Sequence, residues 1–247
     1  MDLLLAVVAA VVASWFCFEL WRSWRLTHRL HTEIWTGAFA AYALATWALV
    51  AGLAVGWTSF SFRLFYFFGA VANIPLLAAG SIALANERAG RIAVKVTALW
   101  IVFGFFAVFL APFARPLPAA GIPEGSEVFG FTFMIDALTL PGPRVFAAVA
   151  GAVGTIIVVG LALASAVRSW SVSRRRAYGN LLIVAGALAP AFGGSLTALG
   201  ESAALSISLL VGIALLYWGY RLASSARRSG DGDSGRSSSL SHRRRGS

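Results

Sequence analysis

Two of the three histidines offer the first chemistry in this sequence. His28 and His31 are followed by Glu33, while His242 stands alone near the C-terminus. The H-x-x-H-x-E spacing puts two imidazoles about one helical turn apart with a carboxylate close by, a donor set that a divalent metal accepts. A metal-dependent membrane enzyme using His28, His31 and Glu33 is therefore one reading. The plainer one is polar side chains at the start of an interfacial helix. Nucleophilic catalysis has less support, because serines within the apolar segments have no histidine at matching depth. A retinal-type Schiff base would need a lysine in the final apolar segment, and Lys95 is the only lysine of the chain. The single cysteine, Cys17, rules out an intrachain disulfide and a multi-cysteine metal site. With no convergent catalytic constellation, the expectation is a non-enzyme without a cofactor.

A second group of residues suits binding and transport. Asn73 and Pro75 share one apolar segment and Pro190 lies in another. Each proline removes a helix hydrogen bond and frees the carbonyl four residues back, that of Val71 or Gly186. Helices broken near the bilayer midplane form substrate sites in secondary transporters. Arg63 and Glu201 are expected on the same outer side, where an ionisable pair could gate or bind a charged solute. Asn73, Pro75, Pro190, Arg63 and Glu201 thus form the candidate substrate-binding set. Arg174, Arg175, Arg176, Arg227 and Arg228 are candidates for contact with anionic lipid, and phosphorylation of tail serines would release the tail.

These residues must be positioned by helices in a bilayer. Of 247 residues, 59% are hydrophobic and 12% charged, about half the charged share of a soluble domain. Seven apolar segments, about 3–20, 34–56, 62–84, 93–113, 145–167, 179–199 and 202–220, each approach the length needed to cross the hydrocarbon as a helix. The expected fold is an all-α polytopic transmembrane bundle over residues 1–221, followed by a disordered basic tail, rich in Ser, Gly and Arg, over 222–247. The segment at 3–20 reads as a retained first helix rather than an export signal, since Asp2 precedes it and Arg22 and Arg25 follow.

Charge sets the orientation. Seventeen of the 20 basic residues fall in alternate loops and the tail, and only Arg63, Arg115 and Arg144 fall on the opposite side. By the positive-inside rule the N-terminus lies outside and the tail in the cytoplasm, in the cell membrane. This placement also argues against nucleic acid as the partner of a chain with net charge +10. The expected partners are the lipid bilayer and either a protein partner or further copies of the chain. Small-residue ridges at Ala147 and Gly151, Ala150 and Gly154, and Ala185, Ala189 and Gly193 serve close helix packing. The one long outer loop, 114–143, is a plain connector or, through its apolar stretch 129–140, a segment that lies on the membrane or folds back over the bundle.

Arg22-Ser23-Trp24 after the first segment returns as Arg168-Ser169-Trp170 after the fifth. This fits two parallel triple-helix units joined by the fourth helix, an arrangement similar to that of small sugar carriers. The string Phe62-Arg63-Leu64-Phe65-Tyr66-Phe67-Phe68-Gly69-Ala70 with Asn73-Ile74-Pro75, set after His31-Thr32-Glu33-Ile34-Trp35, resembles uncharacterised seven-span membrane proteins of high-GC Gram-positive bacteria. Heavy Arg, Ala and Gly usage agrees with such a bacterial source, and that family implies no activity. Three functions stay open: a small-solute or lipid-like transporter, a non-catalytic accessory or sensory protein working through a partner, and the metal-dependent enzyme.

Overall fold

The computed structural model describes residues 2–118, 121–123, 125–197 and 204–223. They form an all-α polytopic bundle of seven helices: α1 (Asp2–Thr27), α2 (Leu30–Val55), α3 (Ser59–Ala85), α4 (Glu87–Leu110), α5 (Pro143–Ser169), α6 (Arg174–Thr197) and α7 (Ala204–Ala223). Six are long and apolar enough to cross a membrane, and α6 carries a shorter apolar stretch, Ala177–Pro190. The outward faces match lipid rather than water. On α4 they carry Ile92, Val96, Leu99, Val102, Phe103 and Phe106, and on α5 Val149, Val153 and Ile156.

Helix ends depart from the expected edges. The first helix runs on to Thr27, and α4 and α6 begin at Glu87 and Arg174. Arg22, Arg25, Arg88, Arg91, Lys95, Arg174 and Arg175 therefore sit on the end segments of helices instead of in loops. Continuing the helix through the interface keeps each backbone N–H and C=O paired until water can take over. The turns that remain are short and locally specified. His28 takes a left-handed backbone (φ 48) between α1 and α2, Thr58 and Ser61 form a reciprocal cap on α3, and Asn86 caps α4.

Close packing relies on small residues. Ala6, Ala9, Ala10 and Ala13 recur at helical spacing and are fully buried on α1. Phe16 continues the row, its ring against Phe39 of α2 and Tyr217 of α7. On α5, Ala150 is buried and Gly154 lies against Ile74 of α3. On α6 the close approach to α7 runs through small residues other than Ala185 and Ala189 of the expected ridge, and the surroundings of its third member, Gly193, lie outside what is described. Ala185 is exposed, and the seam runs through Gly179 and Gly186 against Gly219 and Gly212. A Cβ on Gly186 would stand 2.8 Å from the Gly212 carbonyl oxygen, so only hydrogen fits there.

The long loop between α4 and α5 is more than a plain connector, since its described residues fold back over one end of the bundle. Its fold includes one helical turn, Gly125–Val128, and an antiparallel hairpin, Thr132–Ile135 with Leu138–Pro141, turning at Asp136 (φ 53). Aspartate tolerates this left-handed conformation better than most residues. Phe129 folds back on the bundle, fully buried against Phe62, Tyr66 and Phe113 with ring centroids 5.6, 4.9 and 5.4 Å away. Trp57 Nε1 donates to the Gly121 carbonyl at 2.8 Å, tying the loop to the start of α3. Residues 224–247, nearly all of the expected tail, lie outside the described residues.

Candidate functional site

Pro75 cannot supply an N–H to the helix, and α3 absorbs the loss one turn earlier. Residues Phe67–Ala72 wind as a π-helix, and the N–H of Asn73 donates to the Phe68 carbonyl, five residues back. Such wide turns are rare and concentrate at functional sites, because they re-aim side chains that an ordinary helix would place elsewhere. Here the turn holds Asn73, 4% exposed, with no hydrogen-bond partner for its Oδ1. Leaving a buried polar atom unpaired costs about 1–3 kcal/mol.

Asn73 borders a cavity of about 310 Å³ lined by α2, α3, α5, α6 and α7. Pro190 of α6 lines it too, with Thr46, Tyr66, Thr155, Leu205 and Leu209. Space is made by Gly69, Ala147 and Gly151, and a Cβ on Gly151 would meet nothing within 4 Å. Part of the polar wall is committed. Tyr42 Oη donates to the Leu209 carbonyl at 2.7 Å, and Thr46 Oγ1 lies 3.0 and 2.9 Å from the Tyr42 and Ala43 carbonyls of its own helix. Among the described lining residues none is charged, so the site is an apolar chamber with one fully buried, unsatisfied acceptor.

Of the described members of the expected substrate-binding set, only Asn73 and Pro190 meet in this cavity. Pro75 turns the other way, into an apolar crevice of about 410 Å³ between α3, α4 and α5. The carbonyl freed by Pro190, that of Gly186, is pressed against Gly212 and leaves no opening there. Arg63 donates to the Val108 and Ala111 carbonyls at the end of α4, the latter at 2.9 Å, and its guanidinium lies 4.5 Å from the Phe113 ring centre. It is a clamp between α3, α4 and the outer cap. Glu201 lies outside the described residues. Tyr42, Thr46, Tyr66 and Thr155 were not expected from the sequence. The only signal for them was hydroxyl groups in otherwise apolar segments.

The histidine motif comes apart at the turn. His28 stands between α1 and α2, whereas His31 and Glu33 belong to α2, so one helix does not carry all three. Each imidazole meets a tryptophan ring edge-on: His28 with Trp24 and His31 with Trp35. Among the described residues no three His, Cys, Asp or Glu side chains converge to hold a metal ion. Arg174 and Arg175 are exposed on the first turn of α6. The side chain of Arg176, and Arg227 and Arg228 entirely, lie outside what is described.

A second polar space lies at the opposite, basic end of the bundle. It is a crevice of about 360 Å³ lined by Ser81, Ser165, Arg168, Ser169, Ser173 and Asn180. There Asn180 Nδ2 donates to Ser165 Oγ at 2.9 Å. The fold and these sites define a polytopic helical membrane protein with a small internal cavity. Compared with known families, curated proteins and solved structures, the chain matches none.

Proposed function

We propose that this protein is a carrier for a small, largely apolar solute that occupies the cavity around Asn73, working in the cell membrane with its basic tail in the cytoplasm. One observation carries the reading: a residue with a buried, unpartnered side-chain acceptor lines a cavity where α3 is broken. A fold keeps such an atom at a free-energy cost when a ligand completes it. The wide turn before Pro75 adds a place where α3 can bend, as alternating access requires. The test is uptake of a mixed solute panel into liposomes containing the full chain, measured by mass spectrometry against empty liposomes. At least one solute should accumulate, and its flux should fall about tenfold in Asn73→Leu. Flux unchanged in both Asn73→Leu and Pro75→Ala would refute the carrier.

An accessory role through a protein partner is the second reading. It is favoured by the outer hairpin, which exposes Phe131, Met134, Ile135 and Leu138. Native mass spectrometry of nanodisc particles taken from the host would support it by recovering a stoichiometric partner whose binding is lost when Met134 and Leu138 become serine.

A further inference from the structure

We infer that the cavity around Asn73 takes a neutral molecule with an apolar body and one hydrogen-bond donor, a hydroxyl or an amide N–H, given to Asn73 Oδ1. This rests on the cavity being a binding site, and not on transport. Among the described residues three side-chain atoms are buried without a partner: Asn73 Oδ1, Trp100 Nε1 and Ser206 Oγ. Of these residues only Asn73 lines this cavity. A carboxamide oxygen can only accept, so the complementary group must donate. The hydroxyls of Tyr42 and Thr46 already give their protons to backbone carbonyls and do not compete for that donor's place.

The rest of the wall sets the remainder of the ligand. Ala45, Gly69, Ile74, Leu205 and Leu209 offer contact and no hydrogen bonds from their side chains. A carboxylate or ammonium would lose its hydration with no charged side chain, and only the Tyr66 and Thr155 hydroxyls and Asn73, among the described lining residues to replace it. The volume, about 310 Å³, sits at the small end of the range for ligand pockets, roughly 300–1,000 Å³. A hydroxylated hydrocarbon or a small apolar amide satisfies all three conditions. A sugar, with many hydroxyls and only Asn73, Tyr66 and Thr155 left among the described lining residues to meet them, does not.

Photoaffinity labelling of the full chain in nanodiscs tests this, with four diazirine probes that share a ten-carbon body and end in an alcohol, a methyl ether, a carboxylate or an amine. Peptides containing Thr46, Asn73 and Thr155 report occupancy of the cavity. The alcohol should label them about tenfold more efficiently than the ether, the ratio that one hydrogen bond supplies. In Asn73→Leu the two should become equal. Equal labelling by alcohol and ether in the unaltered protein, which needs no variant to fold, would overturn the inference. So would strongest labelling by the amine, and loss of that labelling in Glu201→Gln would bring Glu201 into the site. Discrimination with no flux in any liposome assay leaves the ligand class standing and removes the carrier. Flux lost in Asn73→Leu without discrimination does the reverse.

Discussion

Asn73 and Asn180 are the same residue type at similar depth of burial, 4% and 8% exposed, in two regions of one bundle. Near the basic end, α6 presents Asn180 to Ser165 of α5, and a hydrogen bond of 2.9 Å joins the helices. In the outer half, α3 presents Asn73 to a space bordered by alanine, glycine and isoleucine, and its Oδ1 stays unpaired. A buried amide with a partner is glue between helices, and one without a partner is a cost that the rest of the packing carries. Burial and residue type do not separate the two roles; the neighbour does.

The most damaging way to break the comparison is Gly186→Leu. The side chain would press on backbone of α7, the Gly212 carbonyl and the Leu216 N–H at 2.8 Å each. Backbone cannot swing aside as a side chain can, so a loss of about 3 kcal/mol or more is expected. Unfolding in bicelles would measure it. Because α6 carries both Asn180 and Pro190, both regions should loosen together; a variant as stable as the parent would show that α6 and α7 do not meet on this seam.

Arg63→Met confines the damage to the outer region. It removes two hydrogen bonds from a charged donor and the contact with the Phe113 ring. Each such bond is worth about 1.5–3 kcal/mol, but α4's end can turn its freed carbonyls towards water, so about 2 kcal/mol in total is expected. Hydrogen exchange should rise across the cap and the end of α4 while the helix turns around Asn180 stay protected. Equal loosening at both ends would show that the clamp is not local.

The sharpest comparison has the smallest energies. Asn180→Leu leaves Ser165 without its partner and should destabilise by about 1 kcal/mol, the scale of interhelical hydrogen bonds in membranes. Asn73→Leu removes an unpaired polar atom and should be neutral or stabilise by up to about 1 kcal/mol. The two changes in unfolding free energy, measured side by side in bicelles, should differ in sign or nearly so. Equal destabilisation would mean that Asn73 is packed as structure, and its cavity would lose its claim to a ligand.

The candidate site was half legible in advance. Asn73 stood out because an amide in an apolar run is conspicuous, and Pro75 because its missing N–H must be accommodated somewhere in α3. Where the accommodation falls, and that Pro75 faces a different crevice from Asn73, follow from the phase the helix takes after the wide turn. For Arg63 the sequence offers Glu201 as a partner because unpaired charges at membrane depth are costly. Its observed partners on α4 are the carbonyls of Val108 and Ala111, which any residues there would supply, so no side-chain pattern could have marked them. Four-residue spacing marks a ridge of small residues on α6 without naming its partner helix; the seam with α7 runs through Gly179 and Gly186, seven apart, since the approach of two helices selects one face from several rich in small residues.

The sequence alone determined that this is a polytopic helical membrane protein, how many apolar segments it has and which of their ends are basic. Those properties follow from a local balance: twenty apolar residues in a row have one stable solution in lipid, whatever lies elsewhere in the chain. Only the tertiary structure decided which polar groups are satisfied. Tyr42 finds its acceptor in Leu209, 167 residues away, and whether Asn73 finds one depends equally on helices far from it in sequence. Hydrogen bonds act over about 3 Å, and distances of that size exist only once the helices have packed.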